Sequence, residues 1–143
     1  MAERKGSDPA MTTSQIFLYI LLALVIIFYL RRFLLARTIR RYTAAQLVDR
    51  LKEPGVMLLD VRTASERKAH HIAGSLHIPL QDLGRRAAEL EGYREREIIC
   101  YCHSGNRSLV AALRLRRLGF TVADLEGGIA EWTGSGFSAD GIP

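Results

Sequence analysis

Cysteine is scarce in this sequence: the 143 residues contain two, Cys100 and Cys102. Because they stand two apart on a predicted strand, their Cα atoms lie near the upper limit for a disulfide, and no bridge between them is expected. A cysteine-ligated metal needs further ligand pairs at short spacing, and the sequence has none. His70, His71 and His77 lack a helical pairing with a carboxylate, so no metal site is predicted from them either.

A large excess of one charge sign is also missing from most of the chain. The formal net charge is +5, but residues 38–143 contain 15 lysines and arginines against 13 aspartates and glutamates. The basic excess stands instead beside an apolar run near the N-terminus, where it suits anionic lipid headgroups. The sequence has no nucleic-acid motif and no basic stripe interleaved with aromatics, so no nucleic-acid partner is predicted.

The apolar run itself is the longest uniform segment of the chain. Residues 16–30 are continuously apolar, and no charged residue occurs over the 22 positions from Pro9 to Leu30. A bilayer needs about 20 predominantly apolar residues in a helix, so Met11 to Leu30 is just long enough. A cleaved signal peptide is the alternative. It is disfavoured because Arg31 and Arg32 follow at once, where a small-residue cleavage site would be needed.

The charges on either side of this run predict its orientation. Five arginines follow it by residue 41, whereas only Arg4 and Lys5 precede it. The positive-inside rule places the following domain in the cytoplasm, where a reducing environment also preserves a free thiolate. We therefore expect an N-terminal tail at residues 1–10, a single-pass anchor with its basic flank at residues 11–35, and one domain at residues 38–143.

Alternating helix and strand signals over residues 38–143 predict an α/β domain. Thr43 and Gln46 fit a capping box that opens a helix ending near Lys52. Strands are predicted at residues 56–61, 98–101 and 120–123. Further helices are predicted at residues 81–90, at residues 107–118 and around Trp132, which is predicted to be a core residue. Apolar strands alternating with helices predict a mainly parallel central sheet with helices on both faces. A ligand is expected beyond the carboxyl ends of those strands.

Residues 100–108, CYCHSGNRS, stand at such a strand end and lead into a helix. A strand that turns sharply through Gly105 into a helix directs several backbone N–H groups, and the positive end of the helix dipole, at one small space. We call this arrangement the anion cradle. It favours thiolate over thiol, so Cys102 at its mouth is predicted to be a nucleophile. Cys100, within the strand, is predicted to be a core residue.

Four segments of the chain carry recognisable motifs in sequence order. The cysteine loop contains the pattern Cys-x-x-Gly-x-Arg, and LLDVR at residues 58–62 is followed by Glu66. HIAGS at residues 71–75 and LEGG at residues 125–128 complete the set, the latter followed by Trp132 and a final GIP. Together these segments resemble the single-domain members of the rhodanese (thiosulfate sulfurtransferase) family over residues 38–143.

The resemblance implies a sulfurtransferase fold and activity that need no metal or organic cofactor. Cys102 would take sulfane sulfur from a small anionic donor such as thiosulfate and pass it to a thiol or a protein cysteine. Substrate-binding residues are then expected in the rest of the loop: His103, Ser104, Gly105, Asn106 and Arg107. Arg107 has two open roles, a clamp on the anionic donor or an ion pair with Asp60 or Glu66, and both can hold in part.

Four positions depart from the family pattern outside the cysteine loop. Arg67 stands where an aromatic residue is common, and Ser75 replaces the usual alanine. His70 and His77 occupy places where glycine and asparagine are frequent. These departures concern the rim of the expected pocket more than the catalytic sulfur.

Two other functions fit parts of the same pattern. Phosphatases and arsenate reductases also use a cysteine loop closed by arginine, but their loop carries five residues between the two, and here four intervene, His103 to Asn106. The tighter loop suits a sulfur atom better than a tetrahedral oxyanion. The second alternative is a membrane-tethered binding or scaffold module, for which the intact Cys102, Gly105 and Arg107 have no evident use.

Overall fold

The computed structural model describes residues 12–138 and divides into two compact units, with the boundary between Leu35 and Ala36. The first unit contains one helix, α1 (Thr13–Ala36). Its segment Thr13–Arg31 has a mean hydropathy of 2.3 and none of it is buried. By length and composition this helix can cross a membrane, and a signal sequence has the same properties. The predicted tail at residues 1–10 and the predicted span start at Met11 lie outside the described residues.

A five-stranded parallel sheet forms the second unit, which confirms the predicted parallel sheet with helices and adds two strands to the three predicted. Its strands stand in the order β1-β5-β4-β2-β3, and every neighbouring pair is parallel. The strands are β1 (Arg40–Tyr42), β2 (Val56–Asp60), β3 (Leu76–His77), β4 (Glu97–Tyr101) and β5 (Val122–Leu125). The helices are α2 (Ala44–Leu51), α3 (Ala64–Ala69), α4 (Leu83–Arg86), a 3₁₀ helix (Ala87–Tyr93), α5 (Asn106–Arg117) and α6 (Gly128–Gly134).

Helices cover both faces of this sheet. Successive strand residues point to opposite sides, and the side chains on both sides are apolar. On one face, Cys100 and its strand neighbours pack against residues of α4, the 3₁₀ helix and α5, including Leu90 and Leu115. On the other face, Tyr101 and its neighbours pack against α2 and α6, including Leu47 and Trp132. Trp132 is fully buried, which confirms its prediction as a core residue.

The predicted capping box at the start of α2 is present. The Gln46 backbone N–H donates to Thr43 Oγ1, and the Thr43 N–H donates to Gln46 Oε1. The same pattern, Thr63 with Glu66, opens α3, which the sequence analysis did not predict. Strands β1 and β3 were also missed, because three and two residues are too few to show a strand pattern.

Two predicted elements have different bounds in the structure. The helix expected at residues 81–90 is one turn of α4 followed by the 3₁₀ helix, and Gly84 and Gly92 lower the helix propensity of this segment. The strand expected from Phe120 begins at Val122 instead. Gly119 (φ +86°) and Phe120 donate to Arg116 and Leu115 carbonyls and close α5 in a Schellman motif, which occupies these residues.

Candidate active site

The cysteine loop lies where β4 ends and α5 begins. β4 is the middle strand of the sheet, and Cys102 follows its last residue, Tyr101. Gly105 is the N-cap of α5 with φ +91°, a left-handed conformation that residues with a side chain rarely adopt. The loop thus turns within four residues, and the free N–H groups of the first turn of α5 face it.

Cys102 Sγ accepts hydrogen bonds from this loop. The Gly105 N–H donates to it at 3.1 Å, and the Ser108 hydroxyl donates at 3.5 Å. Burial acts to raise the pKa of the Cys102 thiol, but donors from Ser108, Ser104 and Gly105 outweigh it, so the pKa lies below the ordinary value. The predicted anion cradle is therefore present around the sulfur.

Cys102 differs from its prediction in one respect. It was expected at the mouth of the cradle, whereas only 1% of its surface is exposed. The Gly105 N–H lies 3.1 Å from the sulfur, so the loop itself covers much of Cys102.

Ser108 is the loop residue that the sequence analysis missed. Its side chain is fully buried in the first turn of α5, and its hydroxyl and its backbone N–H both lower the pKa of Cys102. A signal was present, because a serine directly after Arg107 stands one turn of helix beyond the loop and can reach back to the sulfur.

The short helix α6 holds the cysteine loop from the opposite side. The Ile129 N–H donates to the Cys102 carbonyl at 2.9 Å, and the Ala130 N–H donates to the His103 carbonyl at 3.1 Å. Gly128, directly before Ile129, has φ +61°, and a Cβ there would stand 2.4 Å from the Cys102 oxygen. Gly128 thus allows α6 to approach the loop backbone closely.

Arg107 forms a bidentate ion pair with Glu66 on α3. Its Nη1 lies 2.8 Å from Oε2 and its Nη2 lies 2.6 Å from Oε1. Glu66 Oε2 also accepts from the backbone N–H and the hydroxyl of Thr63. Arg107 above all, together with Thr63, holds the pKa of the Glu66 carboxyl well below its usual range, although burial opposes this.

The same guanidinium also lies near the sulfur. Glu66 is the main cause of the raised pKa of Arg107, and Cys102 adds to it. Two acids were predicted as possible ion-pair partners of Arg107. Glu66 forms the pair, and the prediction of Asp60 is wrong. Arg107 is two-thirds buried between Glu66 and the loop, so its position suits both a structural and a ligand-binding role.

Asp60 belongs to a buried network on the other face of the sheet. Its carboxylate accepts from Arg62 Nε and Nη2, at 3.0 and 2.8 Å to the nearest oxygens, and from the Tyr101 hydroxyl at 2.9 Å. Tyr101 Oη also lies 2.9 Å from Ser75 Oγ, and Arg67 donates to Ser75 Oγ and to its carbonyl. Two departures from the family pattern, Arg67 and Ser75, are therefore partners of one another.

The remaining loop side chains point outward. His103, Ser104 and Asn106 are exposed. Short polar side chains such as those of Ser104 and Asn106 often shape a turn by hydrogen bonding to the backbone, but within residues 12–138 neither makes such a bond. The conformation rests instead on Gly105 and on the backbone contacts with α6.

Cys100 is a core residue, as predicted. It is fully buried among apolar side chains beneath α5, and burial is the main reason that the pKa of its thiol is strongly raised. Both cysteines are free thiols. In the part of the chain from residue 12 to residue 138, no three histidine, cysteine, aspartate or glutamate side chains converge as metal ligands.

Comparison with curated proteins finds sulfur-handling relatives. The chain is 42% identical over 90 residues to the putative sulfur carrier protein YrkF of Bacillus subtilis, a match that covers 62% of this chain and 46% of that protein. It is 34% identical over 82 residues to a sulfurtransferase of Allochromatium vinosum, covering 57% of this chain and 75% of the relative. The chain thus spans less than half the length of the first of these relatives.

The comparison with solved structures and the match to a family agree with these relatives. The crystal structure of a rhodanese-related protein from Thermoplasma volcanium is 36% identical, with a TM-score of 0.63, and covers 68% of this chain and 94% of that one. Residues 43–135 match the rhodanese-like domain family. This range includes every strand after β1, the cysteine loop and all of α6. With its parallel sheet and the cysteine loop at the end of β4, the chain belongs to the rhodanese-like domain family.

Proposed function

We propose that this protein is a membrane-anchored sulfurtransferase in which Cys102 carries the sulfur as a persulfide. Sulfurtransferase relatives and membership of the rhodanese-like family support sulfur transfer in general. The observation that carries the specific proposal is the hydrogen bonding of Cys102 Sγ by Gly105 and Ser108. Donors fixed around a sulfur stabilise its anionic forms, both the attacking thiolate and the persulfide.

The proposed reaction has two displacement steps. In the first, the Cys102 thiolate attacks the outer sulfur of thiosulfate, a sulfur–sulfur bond forms, and sulfite leaves with the electron pair of the broken bond. In the second, an acceptor thiolate attacks the outer sulfur of the Cys102 persulfide and leaves with it, which restores the thiolate. Charge and atoms balance in both steps, and no cofactor takes part.

The size of the cysteine loop favours sulfur transfer over phosphoryl transfer. Four residues separate Cys102 from Arg107, and the Gly105 N–H already lies 3.1 Å from Sγ. A single sulfur atom added to Sγ remains within reach of the N–H groups that follow. A bound phosphate needs space for three further oxygens among the same donors.

A direct test uses the mass of the loaded protein. After the full chain is incubated with thiosulfate and freed of excess donor, the peptide containing Cys102 is expected to gain about 32 Da, the mass of one sulfur atom. Reduction with a thiol should remove this mass. A chain that stays unmodified at Cys102 under thiosulfate and under persulfide donors would contradict the proposal.

Replacing Arg107 with alanine is expected to weaken loading from thiosulfate about tenfold and loading from a neutral persulfide donor much less. A partly buried charge-assisted hydrogen bond contributes about 1.5–3 kcal/mol, and only the dianion needs the guanidinium for binding. Loading rates from the two donors, measured by the mass of Cys102, give the ratio.

Glu66→Gln is the matched control, because it removes the negative charge that pairs with Arg107 and keeps the guanidinium. It is expected to preserve the preference for thiosulfate. Equal losses with both donors in Arg107→Ala, matched by the same losses in Glu66→Gln, would assign Arg107 a structural role only.

The anchor is proposed from α1 and its flanking charges. Thr13–Arg31 has the length and hydropathy of a membrane span, and five arginines follow the apolar run by residue 41. Transfer of arginine into hydrocarbon costs about 2.5–3.5 kcal/mol per residue on insertion scales, so the domain stays on the cytoplasmic side. Tethering then raises the effective concentration of Cys102 at a membrane-associated acceptor.

Protease treatment of bacterial spheroplasts that contain the full chain is expected to leave residues 38–143 intact. After detergent lysis the same protease should digest exposed segments of this domain, which is the control for cleavability. Digestion in intact spheroplasts would place the domain outside, and recovery of a chain cleaved soon after Leu30 would assign α1 to a signal peptide.

A further inference from the structure

Several arginines lie at the edge of the sheet opposite the cysteine loop. α5 begins at the carboxyl end of β4 and runs back to the amino end of β5. Its last residues, Arg116 and Arg117, therefore lie at the amino ends of the strands. The 12 residues of α5 rise about 18 Å, which separates these arginines from the cysteine loop. The proposed reaction uses no residue at this edge.

The segment before β4 adds two further arginines to the same edge. Arg94 donates to the Leu118 carbonyl at 3.2 Å, and its guanidinium lies 4.5 Å from the centre of the Phe120 ring. Arg96 follows two residues later and packs over the Tyr93 ring. These contacts join the segment to the end of α5. We call the resulting surface the basic edge and define it by Arg94, Arg96, Arg116, Arg117 and Leu118.

Most of the positive charge of the basic edge is not neutralised by acids. Glu91 forms an ion pair with one of the four arginines, Arg94. Within residues 12–138, the other three arginines form no ion pair. Glu95 is exposed on the same segment and can offset at most one of them. The basic edge thus keeps a net positive charge that can attract an anionic surface.

Leu118 adds an apolar side chain to these cations. It is 50% exposed, and among residues 37–138 it is the one large apolar side chain exposed to this degree. An exposed leucine beside cations suits the interfacial layer of a bilayer, where the leucine leaves water and the cations meet anionic headgroups. The backbone of a nucleic acid offers no apolar partner for it. The composition of the basic edge therefore favours lipid.

The chain enters the domain beside the basic edge. Arg116 Nη1 donates to the Thr38 carbonyl at 3.1 Å. Thr38 stands seven residues after Arg31, the last residue of the candidate membrane span. Seven residues extend over at most about 25 Å. In a chain anchored through this span, the basic edge is therefore the part of the sheet that stays close to the lipid.

We propose that the basic edge binds anionic headgroups of the membrane that anchors the chain, a proposal that rests on the proposed anchoring through α1. The arginines contact headgroup phosphate and carboxylate, and Leu118 enters the interfacial layer. The cysteine loop, at the other end of α5, then faces away from the bilayer. An acceptor thiol must reach Cys102 from the aqueous side, on a soluble protein or on a part of a membrane protein that projects from the bilayer.

The test measures how close each end of α5 lies to the lipid. Full chains with Cys102→Ser are used, and Cys100 is fully buried, so an added exposed cysteine takes a fluorescent label. Thr121→Cys places the label beside the basic edge, and Ser104→Cys places it in the cysteine loop. Phosphatidylcholine vesicles, with or without phosphatidylserine, contain a lipid with a nitroxide quencher on its headgroup. We expect strong quenching only for the Thr121→Cys label with phosphatidylserine.

Substitutions in the basic edge are expected to weaken this docking. Arg117→Gln should lower the docking constant about fivefold, the effect of one cation near an anionic bilayer. Leu118→Gln should also lower it, because an apolar side chain gains free energy on leaving water. Arg85→Gln is the matched control, since this arginine of α4 is 82% exposed and lies outside the basic edge. An equal loss in Arg85→Gln would mean that net charge alone acts, and would overturn the proposal.

The remaining outcomes separate the basic edge from the anchor. A chain that does not float with the vesicles would contradict the anchor itself. A chain that floats, but whose two labels are quenched equally or whose quenching ignores phosphatidylserine, would contradict the basic edge alone. A Thr121→Cys label that responds to added RNA and not to phosphatidylserine would assign the basic edge to nucleic acid and overturn lipid binding.

Discussion

Replacing Cys102 with serine is expected to abolish sulfur transfer completely. A serine hydroxyl at this position keeps the loop geometry, but it is not ionised near neutral pH and forms no stable bond to sulfane sulfur. The gain of mass after thiosulfate and the turnover of thiosulfate with cyanide should both fall to background. Residual loading at more than a few per cent, with the protein still folded, would contradict a mechanism with one cysteine.

Cys100→Ala is the matched control for this prediction. Cys100 stands two residues away on the same face of the sheet, but it is fully buried in the apolar core, beside Asp124 on β5, and burial above all strongly raises the pKa of its thiol. Alanine leaves no unsatisfied polar group there, so we expect a small loss of stability and most of the transfer rate. A loss as large as in Cys102→Ser would assign Cys100 a part in the chemistry.

The fold was largely predictable because its strong signals are local. Each of these elements can be recognised from its own residues: β4 from its apolar run, α2 from its capping box and α5 from its helical period. The order of the elements along the chain then indicates a parallel sheet. Weak elements were missed for the opposite reason. β1 has the sequence RRY, which looks like a solvated segment, and it is a strand only because β5 pairs with it.

In the candidate site, too, residues close in sequence could be predicted and contacts between distant segments could not. Cys102, Gly105 and Arg107 could be found from their spacing within one loop. The choice of Glu66 over Asp60 as the partner of Arg107 could not, because both follow β2 within a few residues and only the position of α3 decides between them. The placement of the buried Asp124 beside Cys100 depends on the register of β5 with β4, which no local pattern reveals.

Gly128→Ala is expected to cause the second large loss, by displacing the loop rather than by removing the nucleophile. The new Cβ would lie 2.4 Å from the Cys102 carbonyl oxygen and 2.7 Å from two atoms of the His103 carbonyl group. All three are backbone atoms of the cysteine loop, which cannot move aside as the end of a flexible side chain can. The hydrogen bonds from Ile129 and Ala130 to the loop would then break, each contributing about 0.5–1.5 kcal/mol.

Gly136→Ala distinguishes this clash from simple backbone strain. Gly136 also has a positive φ, +84°, but nothing lies within 4 Å of a Cβ at that position. Left-handed backbone costs about 1–2 kcal/mol for a residue with a side chain, and overpacking adds about 1–3 kcal/mol at Gly128 alone. We therefore expect Tm to fall by about 5 °C in Gly136→Ala and by about 15 °C or more in Gly128→Ala.

Thiol reactivity gives an independent measure of the same displacement. Since α6 fixes the carbonyls of Cys102 and His103, its retreat in Gly128→Ala should turn the loop N–H groups away from Sγ and raise the pKa of Cys102 toward that of a free thiol. Gly136→Ala should leave that pKa unchanged, because α6 keeps its hydrogen bonds to the loop. Equal stability and equal thiol pKa in the two variants would mean that the close approach of α6 does not hold the cysteine loop in place.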